Sequence, residues 1–197
     1  MDFETAYTVT EADGGNLEYG VVFGGNNIVF IKSGAGSTCR GYENKYVEMA
    51  RRLNKRCNFT VICAPNPGPI KTTYEIDKLV IKKVIEDKKI DNYTLSLFGS
   101  SNGCYQNIFL AEAFPSAVKM LSVNMPLMVN FQKATEKLSK FPLMEKIFIY
   151  GRLDPSVTFI PLLEAKRIDN LTVKIVEGAD HQFKNMLDDF IALSDLI

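Results

Sequence analysis

Six short apolar runs, separated by longer segments of helical periodicity, constrain the fold of this chain more than any other feature. The runs are Asn27–Ile31, Phe59–Ala64, Thr94–Phe98, Val118–Val123, Lys146–Tyr150 and Leu171–Val176. They are nearly continuous in their apolar residues rather than alternating, which is how parallel strands buried on both faces are written. Between and after them, segments at 42–55, 72–88, 102–113, 131–140, 156–167 and 182–195 place apolar residues at helical spacing. Strands alternating with helices predict a doubly wound α/β sheet. Proline and glycine mark the handovers, at Pro65, Pro67, Gly68 and Pro69, at Pro126, and at Gly151 and Pro155.

The first residues break this pattern. Thr5–Thr10 alternates, Asp13-Gly-Gly-Asn16 offers a turn, and Leu17–Phe23 follows as a second run, so residues 3–24 predict an antiparallel hairpin at the edge of the sheet. The expected fold is therefore α/β: a mostly parallel, doubly wound sheet of about eight strands with an antiparallel N-terminal hairpin and helices on both faces. A length of 197 residues without repeats or linkers fits one domain over 1–197. Residues 124–145 leave room for one helix and so for no separate cap domain.

Charge excludes several classes of partner. Lysine plus arginine and aspartate plus glutamate each total 23, which argues against a polyanion partner such as nucleic acid. The N-terminus is acidic and polar, unlike a signal peptide, and no apolar run approaches the roughly 20 residues that span a bilayer. The expectation is a cytoplasmic protein without a membrane span. Four cysteines form no CxxC pair and a single histidine accompanies them, so neither a metal site nor a cofactor is expected. Three glycosylation sequons, at Asn58, Asn92 and Asn170, fall at strand starts and read as coincidences.

In open α/β sheets ligands bind at the carboxyl ends of the strands, and three such junctions carry reactive residues. After the 94–98 run, Gly99-Ser100-Ser101-Asn102-Gly103 fits G-x-S-x-G with Ser101 central. A serine there sits on a sharp turn, and Gly99 and Gly103 let strand and helix approach closely. After the 146–150 run, Gly151-Arg-Leu-Asp154-Pro155 supplies a carboxylate that reads equally as a helix cap. After the 171–176 run comes His181, the one histidine of the chain. A serine hydroxyl needs a base to become a nucleophile, and that base needs a carboxylate to orient it. Asp180 competes with Asp154 for the last role, but adjacent side chains on an extended loop diverge. Cys104 and Cys39 lie past their turns and read as packing residues.

The order serine, aspartate, histidine, each after its own strand, resembles the α/β-hydrolase family over nearly the whole chain. The resemblance implies a Ser101-Asp154-His181 triad in a small, cap-less serine hydrolase. It also implies an oxyanion-hole loop after the 27–31 run, where Ser33-Gly34-Ala35-Gly36-Ser37-Thr38 stands, with Ser33 where many members carry histidine. Backbone donors would be Ala35 and Asn102, with Gly36 an alternative to Ala35. Pocket candidates are Met125, Leu127 and Leu153, near Pro126, Met128 and the Pro65–Pro69 loop. The implied activity is hydrolysis of a small carboxylic ester as acyl substrate. A thioesterase, lactonase, peptidase or acyltransferase with the same triad remains open, as do a non-catalytic binding domain, a flavodoxin-like nucleotide binder, and a monomeric or homodimeric state.

Overall fold

A computed structural model of the protein describes residues 2–11, 15–68 and 73–197. Strands β1 (Thr5–Thr10), β2 (Asn16–Val22), β3 (Ile28–Lys32), β4 (Thr60–Ala64), β5 (Leu95–Ser100), β6 (Ala117–Val123), β7 (Glu145–Gly151) and β8 (Leu171–Val176) form one sheet in the order β1-β2-β4-β3-β5-β6-β7-β8. The β1–β2 and β2–β4 pairs are antiparallel and the rest parallel. The expected Asp13–Asn16 turn falls partly on residues 12–14, outside the described residues, as do Pro69 and residue 72.

Helices α1 (Lys45–Cys57), α2 (Tyr74–Lys88), α3 (Asn102–Ala111), α4 (Phe131–Leu138), α5 (Ile160–Ala165) and α6 (Leu187–Ala192) flank the sheet. One face packs Tyr46, Met49, Ala50 and Leu53 of α1 and Phe190 of α6 onto Val29, Ile31, Val61 and Phe98. The other packs Val80 and Ile81 of α2, Ile108 of α3, Leu138 of α4 and Leu163 of α5 onto Phe30, Ile62, Leu97 and Phe148. Helices therefore cover both faces, each by an apolar stripe at i, i+3 or i+4 spacing. Every residue of β3, β4 and β5 is buried, as expected of central parallel strands.

Two expectations change. Strand β8 is not buried on both faces: its residues alternate between half-buried and exposed, because it closes the sheet and pairs only with β7. The last helix starts at Leu187, not at 182, because Phe183 and Asn185 take left-handed backbone angles (φ 56° and 61°) in the turn before it. Between β6 and β7 the chain forms α4 and turns. Among the described residues no helix is long and apolar enough to cross a membrane.

Candidate active site

The site assembles where β3, β5, β6, β7 and β8 end. Ser101 joins β5 to α3 with φ 50° and ψ −125°, a sterically unfavourable backbone that holds the side chain away from both elements. Neighbouring glycines make this turn possible. A Cβ on Gly99 would stand 2.7 Å from Cys104 Cα, and one on Gly103 would stand 2.6 Å from the Lys32 carbonyl oxygen at the end of β3. The Ser101 N–H donates to the Val123 carbonyl (2.8 Å), and the Cys104 N–H donates to the Ser101 carbonyl (3.0 Å). The turn is thereby fixed to the end of β6 and to the first turn of α3.

The three residues singled out from the sequence meet here. Ser101 Oγ lies 2.8 Å from His181 Nε2, and His181 Nδ1 lies 2.5 Å from Asp154 Oδ2. Asp154 is 3% exposed, and its Oδ1 accepts from the Ser156 N–H at 2.7 Å. The residue thus caps the 3₁₀ turn Pro155–Phe159 with one oxygen while the other faces the imidazole, so the two readings of this aspartate hold together. Burial raises its pKa, but the bonds from His181 and from Ser156 outweigh it and hold the carboxyl below its ordinary value. An ionised carboxylate only accepts, which places the shared proton on Nδ1 and leaves the Nε2 lone pair for the serine hydroxyl. Asp180 is engaged elsewhere: its Oδ1 accepts from the N–H groups of Gln182 (3.0 Å) and Lys184 (2.9 Å), shaping the turn that carries His181.

Two asparagines that the sequence did not single out hold these loops. Asn124, fully buried after β6 with φ 51°, donates through Nδ2 to the carbonyls of Asp180 (3.1 Å) and His181 (2.9 Å). Its Oδ1 accepts from the Gly151 N–H (2.8 Å), tying the end of β7 to the histidine turn. Asn66, also fully buried, donates to the Ser33 carbonyl (3.1 Å) and to Asn102 Oδ1 (3.1 Å), and its carbonyl accepts from the Gly36 N–H (2.7 Å). That bond occupies Gly36 and removes it as an alternative oxyanion donor. The Ala35 and Asn102 N–H groups donate to no protein acceptor among the described residues. The signal in the sequence was asparagine immediately or one residue after an apolar strand, at its carboxyl end.

Two cavities meet at Ala35 and Ser101. One, of about 570 Å³, is lined chiefly by Tyr74, Tyr105, Phe109, Pro126, Val129 and Ala134. The other, of about 620 Å³, is lined by His181, Lys45, Tyr46, Lys184 and Phe190 among others. The expected pocket residues lie elsewhere. Met125 and Leu127 are each 1% exposed and belong to the core, while Leu153 is 67% exposed and lines neither cavity. Apolar residues just after β6 and β7 are drawn into the core or stand in solvent, and α3 and α4 wall the cavity instead. Burial pushes the Cys104 thiol up to about 12 and the Cys39 thiol up to about 11, so neither is a thiolate near neutrality. Among the described residues no group of three or more His, Cys, Asp or Glu side chains is arranged to hold a metal.

Comparison of the sequence finds no matching family model and no matching curated protein. Solved structures do match. A protein of unknown function from Agrobacterium tumefaciens, provisionally assigned to the α/β hydrolases, superimposes with a TM-score of 0.76 at 16% identity, covering 98% of this chain and 94% of that one. A dienelactone hydrolase from Anabaena variabilis gives 0.68 at 16% identity, covering 97% and 95%. A serine hydrolase without a lid from Xanthomonas campestris gives 0.68 at 20% identity, covering 97% and 92%. Strand order, the turn at Ser101 and these likenesses over nearly the full length agree on one conclusion: the chain adopts the α/β-hydrolase fold.

Proposed function

We propose that the protein is a serine hydrolase acting on carboxylic esters of small molecules, with Ser101 as nucleophile, His181 as general base and acid, and Asp154 as the residue that orients the histidine. The observation that carries this reading is the unbroken hydrogen-bonded chain Ser101–His181–Asp154 beside two backbone N–H groups that have no acceptor among the described residues. The esterase and serine hydrolase names of the structural neighbours agree with it. We read residues 1–197 as a single domain, with α4 as the one helix over the stretch where larger hydrolases insert a cap.

The chemistry follows from the geometry. As Ser101 Oγ bonds to the ester carbonyl carbon, its proton passes to His181 Nε2. The carbonyl oxygen becomes an oxyanion held by the N–H groups of Ala35 and Asn102, and each such donor is worth about 10²–10³ in turnover. Collapse of this intermediate breaks the carbon–oxygen bond of the ester, and His181 returns the proton to the departing alcohol. Water then repeats the sequence on the acyl-serine, releasing the carboxylic acid and restoring the hydroxyl. The buried Asp154 carboxylate stabilises the imidazolium formed at each stage.

A small fluorophosphonate tests this without knowledge of the natural substrate. Intact-mass analysis should show one adduct on the wild type and none on Ser101→Ala or His181→Ala. An unlabelled wild type with a native circular dichroism spectrum overturns the reading.

A further inference from the structure

The cavity that contains His181 also holds an ammonium group with no counter-ion among the described residues. Lys45 is the first residue of α1, where the helix dipole disfavours a cation, and its Nζ sits over the rings of Phe190 (3.9 Å to the centroid) and Tyr46 (5.2 Å). No carboxylate pairs with it among the described residues. The carboxylate on the cavity lining is that of Glu43, which is exposed and interacts with the hydroxyl of Tyr42, also exposed. Burial alone lowers the Lys45 pKa, to about 8, which leaves it mostly protonated at neutral pH. Lys184 lines the same cavity and adds positive charge, shared with Asp180. The cavity on the other side of Ser101 is mostly aromatic and aliphatic, with the exposed Lys133 at its edge over the Phe109 ring (5.0 Å to the centroid).

Mechanism assigns the two cavities different halves of an ester. The departing alcohol takes its proton from His181 Nε2, so it must lie in the cavity that His181 lines, and the acyl group is left to the apolar one. A half-buried cation held over aromatic rings at the start of a helix, with no carboxylate beside it among the described residues, leaves a positive charge in the cavity that an anionic ligand can pair. We propose, resting on the hydrolase reading above, that the substrate is an ester whose leaving alcohol or phenol carries a carboxylate, bound by Lys45, and whose acyl group is uncharged and apolar.

Two acetyl esters provide the test, with release of acetate as the reaction read: 4-acetoxybenzoate and its methyl ester, in which a neutral methoxycarbonyl group replaces the carboxylate. The quantity read is the ratio of kcat/KM for the anionic over the methyl ester, in wild type, Lys45→Met and Lys45→Arg. Wild type should favour the anion although the methyl ester releases the better leaving group. Lys45→Met should lower the ratio about tenfold or more, the scale of a lost charged hydrogen bond, and Lys45→Arg should retain most of it. A ratio unchanged by Lys45→Met overturns the proposal, with fluorophosphonate labelling of that variant confirming an intact site. Labelling of Ser101 in wild-type protein that turns over neither ester overturns the substrate class alone, whereas absence of labelling overturns the hydrolase reading and this inference with it.

Discussion

Asp154 and Asp180 show how much one carboxylate can depend on its surroundings. Both flank the same histidine, and both are held below the ordinary carboxylate range, Asp154 by His181 and Ser156 against burial, Asp180 chiefly by backbone N–H groups. Only Asp154 reaches the imidazole. Asp154→Asn should therefore reduce kcat/KM on an acetate ester by about 10³–10⁴, the cost of presenting the wrong tautomer. Asp180→Asn should cost far less, and equal losses in parallel assays would remove Asp154 from its role. The serine, the aspartate and the histidine were visible in the sequence because each follows an apolar strand. Asn66 and Asn124 were not singled out, since their side-chain partners lie 27 to 57 positions away and their place just after a strand does not say which loops they bond. The pocket residues failed for the opposite reason: apolar side chains at Met125 and Leu127 carry no sign of which way they face, and packing took them inward.

At the scale of elements, the six apolar runs mapped onto β3 to β8 with no end shifted by more than two residues. The helices were legible from periodicity, but their first turns were not. The segments 42–55 and 156–167 each open as a 3₁₀ turn, at Tyr42–Asn44 and Pro155–Phe159, before α1 and α5 begin. Register was the firmer information, because the strand-to-helix turn after β5 admits no extra atoms. Gly103 packs against the carbonyl of Lys32, so a methyl group there must push α3 away from β3. Gly103→Ala should destabilise the fold by about 1–3 kcal/mol, as overpacked sites do, and should slow fluorophosphonate labelling by displacing the Asn102 N–H. Thermal unfolding and labelling rate together check this; a variant with wild-type values in both would show that the turn tolerates a side chain.

Over the whole molecule, charge is distributed in ways that composition conceals. Acidic and basic residues are equal in number, and two of the lysines, Lys32 and Lys146, are fully buried. Lys32 Nζ donates to Asp77, Thr73 and the Pro65 carbonyl, while Asp77 also accepts from the Tyr19 hydroxyl (2.8 Å), joining β2, β3 and α2 beneath the site. Lys146 donates to the carbonyls of Phe141, Met144 and Asp169. Every donor is satisfied, which is the condition for burying an ammonium group. The site above draws on strands of unequal protection. Ser101 follows β5 in the middle of the sheet, whereas His181 follows β8, which has a neighbour on one side and half-exposed residues on both faces. Local opening starts at such edges, well below the free energy of global unfolding. The base should thus detach while the nucleophile remains in place: in a urea titration, labelling of Ser101 should fade at lower denaturant than the far-ultraviolet circular dichroism, and coincident transitions would mean that the edge is locked to the core. On this account the enzyme's working range is set by its last strand and not by the stability of the sheet as a whole.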